Sequence, residues 1–192
     1  AVARLGLYLC NFRTYPAEVT GGPSLYQARL GIENSLSPWG STDILICFDE
    51  FAYESNIESV RNGGLVVYDP DFHKPTSIRE SRIKFYGLPM TNISKEKVGL
   101  GRTKNMVALG AGAYLLSIPY EGLADFVGKR FKGMDEATLD KNVEAVRFGY
   151  EHSQKNAPAT YEFSKSKIPS NKIIQNGNTA IALGAIAAGC RF

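Results

Sequence analysis

Cysteine, histidine and tryptophan are scarce in this 192-residue chain, at three, two and one residues respectively. Cys10, Cys47 and Cys190 lie far apart, with no Cys-x-x-Cys spacing. That argues against a disulfide framework and against a zinc or iron–sulfur site built within the chain. A reducing, cytoplasmic setting fits this cysteine usage. An excess of one charge is also missing. The 22 Lys+Arg and 19 Asp+Glu leave a formal +3, which by itself marks neither a nucleic-acid nor a membrane partner. No apolar run reaches the ~18 residues that span a bilayer. The opening residues lack the basic stretch and apolar core of a signal peptide. Neither His73 nor His152 has a Ser or Cys in recognisable motif context, so no nucleophilic triad stands out. His152 is expected near a helix end, where the dipole favours a charged ring. Asn92-Ile-Ser94 fits the glycosylation pattern, which has no meaning in a cytoplasmic protein.

What is present is an ordinary globular composition, 44% hydrophobic and 21% charged. Val2, Leu5 and Leu9 repeat at helical spacing and predict an opening helix. Leu25 to Leu30 alternates as a strand. Asp43-Ile-Leu-Ile-Cys-Phe-Asp49 and Gly64-Leu-Val-Val-Tyr-Asp69 are short continuous apolar runs, the pattern of strands buried on both faces. Ser55-Asn-Ile-Glu58 has capping-box spacing and predicts a short helix to Val60, closed by Asn62-Gly-Gly64. Ile83 to Gly87 reads as a further strand. The second half reads as helical. Thr103 is a cap candidate for a helix to about Ile118, whose Ala108, Gly110, Gly112 and Ala113 suggest close packing on a neighbour. Leu123, Phe126, Val127 and Phe131 mark another helix, and Asp135 caps a third with Leu139, Val143, Val146 and Tyr150 along one face. Strand–helix–strand followed by helices predicts an α/β fold, Rossmann-like, with a mostly parallel sheet and flanking helices. Ligands of such folds bind at the carboxyl ends of the strands.

The glycine motifs do not match a phosphate cradle. Gly110-Ala-Gly112 sits inside a helix, Gly99-Leu-Gly101 follows no clear strand, and Gly122 to Gly128-Lys129 has the wrong P-loop spacing. Asp49 and Glu50 are adjacent, so in extended chain they point apart; capping or solvation accounts for them better than paired acid–base chemistry. The loop Thr20-Gly-Gly-Pro-Ser24 stands out. Its two glycines permit positive φ and close backbone approach. It is either a tight turn or a contact for a ligand or partner.

Both ends suggest a piece of a longer polypeptide. The first residues read as helix without a cap. Asn178 to Phe192 is a small-residue apolar segment that another part of the parent chain, or a partner, would cover. Between them Gln154 to Ser170 is polar, with Pro158 and Pro169, and reads as an inter-domain linker.

In order along the chain, these segments resemble a known family. Tyr15-Pro16 through Gly21-Gly22-Pro-Ser24 is similar to the "YPS-x-x-RGG-x-S" stretch of the gamma domain of 2-oxoacid:ferredoxin oxidoreductases, with Thr20 where Arg often precedes the two glycines. Asp43 to Asp49 resembles its "D-x-L-v-a-l-d" strand, and Asn62-Gly-Gly-Leu-Val-Val-Tyr-Asp69 its "GG-x-v-i-y-D". Lys104-Asn-Met-Val-Ala-Leu-Gly110 resembles its "kN-m-x-x-lG" helix, and Asn142 to Tyr150 its closing "N-x-x-A-x-x-x-G-Y". Gln175 to Gly184 resembles the "GN-x-A-x-A-x-G" opening of the alpha domain. The resemblance implies a gamma domain over 1–153 lacking its first strand and glycine loop, a linker over 154–172, and the start of the 2-oxoacid-binding alpha domain over 173–192. This is the order of the fused subunit of 2-oxoglutarate-type enzymes.

The family's reaction is oxidative decarboxylation of a 2-oxoacid with coenzyme A, using thiamine diphosphate, Mg²⁺ and iron–sulfur clusters, with electrons passing to ferredoxin. The resemblance implies that this chain binds none of these tightly alone and is inactive in isolation. Its implied partners are the rest of the alpha domain and the thiamine-binding beta subunit, with no nucleic acid or membrane. Gly21, Gly22 and Ser24 become the candidate cofactor-binding residues, at a loop facing ligand or interface. No catalytic or metal-ligating residue is assigned. An independent Rossmann-like nucleotide-binding protein and a purely structural assembly module are the alternatives.

Overall fold

The computed structural model describes residues 6–14, 22–37, 40–72, 82–131, 133–163 and 174–191. The chain divides into two compact units. One comprises Thr14–Leu25 and Trp39–Phe163, the other Val2–Arg13, Tyr26–Pro38 and Ser164–Phe192.

The larger unit is built on a parallel sheet. Strand β3 (Thr42–Cys47) leads into helix α1 (Glu50–Asn56), which returns the chain to β4 (Val60–Tyr68). β4 pairs with β3 on one side and with β5 (Lys84–Gly87) on the other, both parallel. The continuous apolar runs are explained by cover on both faces. Leu65 and Val67 point into one core with Val107, Ala111 and Leu115. Val66, between them, points the other way, into a core with Tyr53 and Ile57. After β5 the chain forms a short helical segment, Met90–Asn92 (α2), and a π-helical turn, Ile93–Lys97. Helices α3 (Lys104–Leu115), α4 (Tyr120–Arg130) and α5 (Glu136–Asn156) follow. These agree with the predicted α/β, Rossmann-like class.

The α3–α5 crossing is closer than ordinary side chains allow. A Cβ added at Gly110 would overlap the Val146 carbonyl oxygen and lie 2.9 Å from the Tyr150 nitrogen. A Cβ at Gly149 would overlap the Val107 carbonyl and lie 3.0 Å from Val107 Cα. The small residues of α3 therefore mark backbone-to-backbone packing, as their composition suggested. The buried face of α5 comprises Asn142, Ala145, Val146, Gly149 and Ser153. It is rotated from the Leu139–Val143–Val146–Tyr150 stripe because the glycine contact sets which side meets α3.

Three local expectations are corrected. Leu9 lies in strand β1 (Tyr8–Arg13), not in a helix. β1 pairs antiparallel with β2 (Tyr26–Gly31) in the smaller unit, and cross-strand pairing outweighs a weak helical spacing. The capping box at Ser55 does not open a helix. Asp49 does, accepting the Ala52 N–H at 2.8 Å; α1 must start directly after β3 to make the crossover. Asn62-Gly63-Gly64 lies inside β4, where Gly63 takes φ +79° beside the register shift of the β3–β4 ladder.

Of the segment 154–172, residues 154–156 complete α5, and the Tyr161 N–H then donates to the Leu115 carbonyl at 2.7 Å. In the smaller unit, α6 (Gly177–Ala187) is capped by the Asn176 side chain, which accepts the Thr179 N–H at 2.8 Å. Ile181 and Ile186 on α6 are 74% and 64% exposed. No described helix is long and apolar enough to cross a membrane.

Candidate functional site

The carboxyl edge of the parallel sheet gathers the chemistry of the larger unit. β4 ends at Tyr68 and delivers Asp69 into the interior, where its side chain is fully buried. A buried carboxylate requires partners on every side. Asp69 Oδ2 accepts from the Thr91 N–H at 3.0 Å and from Thr91 Oγ1 at 2.6 Å. Oδ1 accepts the Asp71 N–H at 3.3 Å. Lys104, the first residue of α3, brings its ammonium to 3.2 Å from Oδ2. The same ammonium lies 4.2 Å from the centre of the Phe72 ring and 6.0 Å from that of Phe48, at the end of β3. One carboxylate thus ties the ends of β4, α2 and α3 together. The Lys104 side chain keeps 22% of its surface open to solvent, so its ammonium is held in place yet reachable. Thr103, expected to cap α3, donates its hydroxyl to the Leu100 carbonyl at 2.7 Å and leaves the helix start without a side-chain cap.

Two titratable groups nearby are held in their neutral forms. Burial, and then the Asp49 charge, push the Cys47 thiol up to about 12. Such a thiol is neither nucleophile nor ready metal ligand near neutral pH. Between β5 and α5 the Tyr86 hydroxyl meets His152 Nδ1 at 2.7 Å and Ser153 Oγ at 3.1 Å. Burial lowers the His152 pKa below its ordinary 6.5, and the charges of Lys97 and Lys155 lower it further.

The candidate loop residues are only partly visible. Gly21 lies outside the described residues, as does His73. Gly22 is half-buried and Ser24 exposed, ahead of β2. Thr14 and Leu25 close the neck of this loop: the Thr14 N–H donates to the Leu25 carbonyl and the Leu25 N–H to Thr14 Oγ1, both at 3.0 Å. Sequence reasoning missed Asp69 and Lys104 as a pair. The available signal was an acid ending a continuous apolar strand, with a lysine opening the next long helix.

The three cysteines are free, with Cys10 half-buried, Cys47 buried and Cys190 exposed. Among the described residues no three His, Cys, Asp or Glu side chains converge to hold a metal ion.

The parallel sheet, its helical cover and its loaded carboxyl edge define an α/β domain of the Rossmann-like class. The profile of the pyruvate ferredoxin/flavodoxin oxidoreductase family matches residues 1–152, and the chain belongs to that family. KorC, a 2-oxoglutarate synthase subunit of Methanocaldococcus jannaschii, is 28% identical over 141 residues, 72% of this chain and 74% of KorC. KorA, a 2-oxoglutarate oxidoreductase subunit of Mycobacterium tuberculosis, is 24% identical over 97% of this chain, which spans 33% of KorA. A 2-oxoglutarate:ferredoxin oxidoreductase from Magnetococcus marinus, solved with 2-oxoglutarate, coenzyme A and succinyl-CoA bound, superposes with a TM-score of 0.86 at 32% identity. The match covers 98% of this chain and 33% of that one. The gamma subunit of a keto/oxoacid ferredoxin oxidoreductase from Geobacter sulfurreducens PCA shares the fold, with a TM-score of 0.61 at 23% identity over 81% of this chain and 87% of the subunit. The homologues are thus subunits of an oxidoreductase complex. The chain spans about a third of the two longest of these relatives.

Proposed function

We propose that this chain is the gamma domain, with the first turns of the alpha domain, of a cytoplasmic 2-oxoacid:ferredoxin oxidoreductase. Its substrate would be 2-oxoglutarate, converted with coenzyme A to an acyl-CoA while electrons pass to ferredoxin. Residues 1–153 form the gamma domain, 154–172 the linker and 173–192 the start of the alpha domain. The observation that carries this reading is the likeness, over 98% of the chain, to the Magnetococcus marinus oxidoreductase at 32% identity. The remaining alpha domain and the beta subunit are the partners, and thiamine diphosphate, Mg²⁺ and the clusters reside outside this chain. When bound, thiamine diphosphate supplies carbanion stabilisation for the decarboxylation.

This chain's own contribution is to position coenzyme A. Gly21, Gly22 and Ser24 are the residues proposed to meet the coenzyme, the glycines because they carry no side chain and Ser24 because it offers a hydroxyl. The Asp69–Thr91–Lys104 cluster fixes the sheet edge beside which such a ligand lies in open α/β folds. Alone with thiamine diphosphate, Mg²⁺, coenzyme A and 2-oxoglutarate, the chain is expected not to reduce a viologen dye. Joined to the remaining alpha domain and the beta subunit, it is expected to support reduction. In that assembly Gly22→Val is expected to raise KM for coenzyme A about tenfold and leave KM for 2-oxoglutarate unchanged. Dye reduction by the chain alone, or equal effects on both KM values, would overturn the assignment.

A further inference from the structure

The stretch after α5 is polar in composition, yet its burial alternates. Ala157, Ala159, Tyr161 and Phe163 are half-buried, while Pro158, Thr160 and Glu162 between them are exposed. That is the two-residue period of an extended chain lying on a surface. Pro158 starts it. A residue before proline is pushed out of the helical region, and Ala157 takes φ −69° and ψ 136°. Ala157 and Tyr161 pack against the core that holds Leu65, Val67, Val107 and Leu115. Tyr161 is pinned twice. Its N–H donates to the Leu115 carbonyl at 2.7 Å, one of the carbonyls that the end of α3 leaves without a helical partner. Its hydroxyl donates to the Asp43 carbonyl at 3.2 Å, at the start of β3. The Asp43 side chain is in turn paired with Arg61 of β4. Burial, opposed by the Arg61 charge and aided by that of Asp43, lifts the Tyr161 pKa above its ordinary 10, so the hydroxyl keeps the proton it donates.

We propose that residues 157–163 are a clasp that closes the amino end of the larger unit, with Tyr161 as its pin, and that they are not part of a tether. Elements distant in sequence meet at this one side chain: the end of α3, the start of β3 and the clasp itself. A tether would have no reason to turn its alanines and aromatic rings inward and its Pro, Thr and Glu outward. The clasp is pinned at the end of the sheet opposite Asp69 and Lys104, so it leaves the carboxyl edge open. The larger unit keeps hold of the chain through Phe163, and only residues 164–176 remain between the clasp and α6. A tether begun at Gln154 would be longer by the whole clasp, and every closure across a longer chain costs more entropy. The clasp thus shortens the free chain on which a following segment is carried. The inference rests on this geometry and not on the assignment of the chain to an oxidoreductase.

The test uses the full chain. Hydrogen exchange followed by NMR is expected to find the Tyr161 amide slowed at least about a hundredfold against its unstructured rate, because its N–H is held by α3. Tyr161→Ala is expected to lower the melting temperature by about 5 °C, and Glu162→Ala, on the outward side, by less than about 1 °C. Tyr161→Phe keeps the ring and the backbone bond and loses only the hydroxyl. It covers the case in which Tyr161→Ala does not fold. In it the amide of residue 161 should exchange at least about threefold faster than in the parent chain, because one of the two pins is gone. A Tyr161 amide that exchanges at its unstructured rate would overturn the proposal. So would equal melting temperatures for Tyr161→Ala and Glu162→Ala, or unchanged exchange in Tyr161→Phe.

Discussion

The tetrapeptide Ala-Leu-Gly-Ala occurs twice, as Ala108–Ala111 in α3 and as Ala182–Ala185 in α6. In α3 its Ala108, Gly110 and Ala111 are buried, and the backbone of α5 occupies the place where a Cβ on Gly110 would be. In α6 the same four residues are half-buried or exposed, and nothing lies within 4 Å of a Cβ on Gly184. Small-residue helices thus state a demand for a close neighbour without naming it. In α3 the demand is met by α5. In α6 it is left open, as the proposed start of a further domain requires.

The largest expected effect would test whether the first of these contacts is as tight as it looks. Gly110→Ala or Gly149→Ala must push α3 and α5 apart and should cost about 3 kcal/mol, read from urea unfolding. Gly184→Ala should be neutral or stabilising by at most about 1 kcal/mol, because only helix propensity changes there. Equal effects at the three sites would erase the contrast between the helices.

A similar loss is expected at the sheet edge. Asp69→Ala strands the Thr91 hydroxyl and N–H and should also cost about 3 kcal/mol. Lys104→Met should cost less, about 1 kcal/mol, because its ammonium is partly wetted and the methionine stem fills the same space.

Removal of everything after Ser170 should barely move the melting temperature and should improve solubility, since the exposed Ile181 and Ile186 go with it. A large drop would show that α6 completes the core of the remaining chain.

The smallest effect concerns pH. His152 has a folded pKa below its ordinary 6.5, so the unfolded chain takes up the proton first as pH falls. Stability should be constant above about pH 7.5, decline as pH drops through 6.5, and level off below the folded value. The decline should be smaller in His152→Gln, followed by urea midpoints at several pH values.

How much of this was legible in the sequence follows from the range of each interaction. β3 and β4 were readable because burial on both faces writes a continuous apolar run. The N-cap at Asp135 was readable because capping is local. Asp49 and Ser55 were both acceptable caps, and the choice between them depended on where β3 had to end. The Leu9 strand was hidden because a half-exposed hairpin strand alternates poorly, and its ladder partner, Leu30, is far along the chain. Within the candidate site, the Gly-Gly loop drew notice by composition. The Asp69–Thr91–Lys104 cluster did not, because the fold alone brings β4, α2 and α3 to one place.

The buried thiol at the end of β3 makes the chain its own unfolding reporter. With a pKa near 12, about one Cys47 in ten thousand is thiolate at pH 8, and the side chain is almost sealed. Cys190 is open to any alkylating reagent and Cys10 is partly so. Mass added in a pulse of iodoacetamide will therefore sort the population by state. Molecules modified at Cys190 alone, or at Cys190 and Cys10, retained the sheet through the pulse, and those that gained a third adduct had opened it.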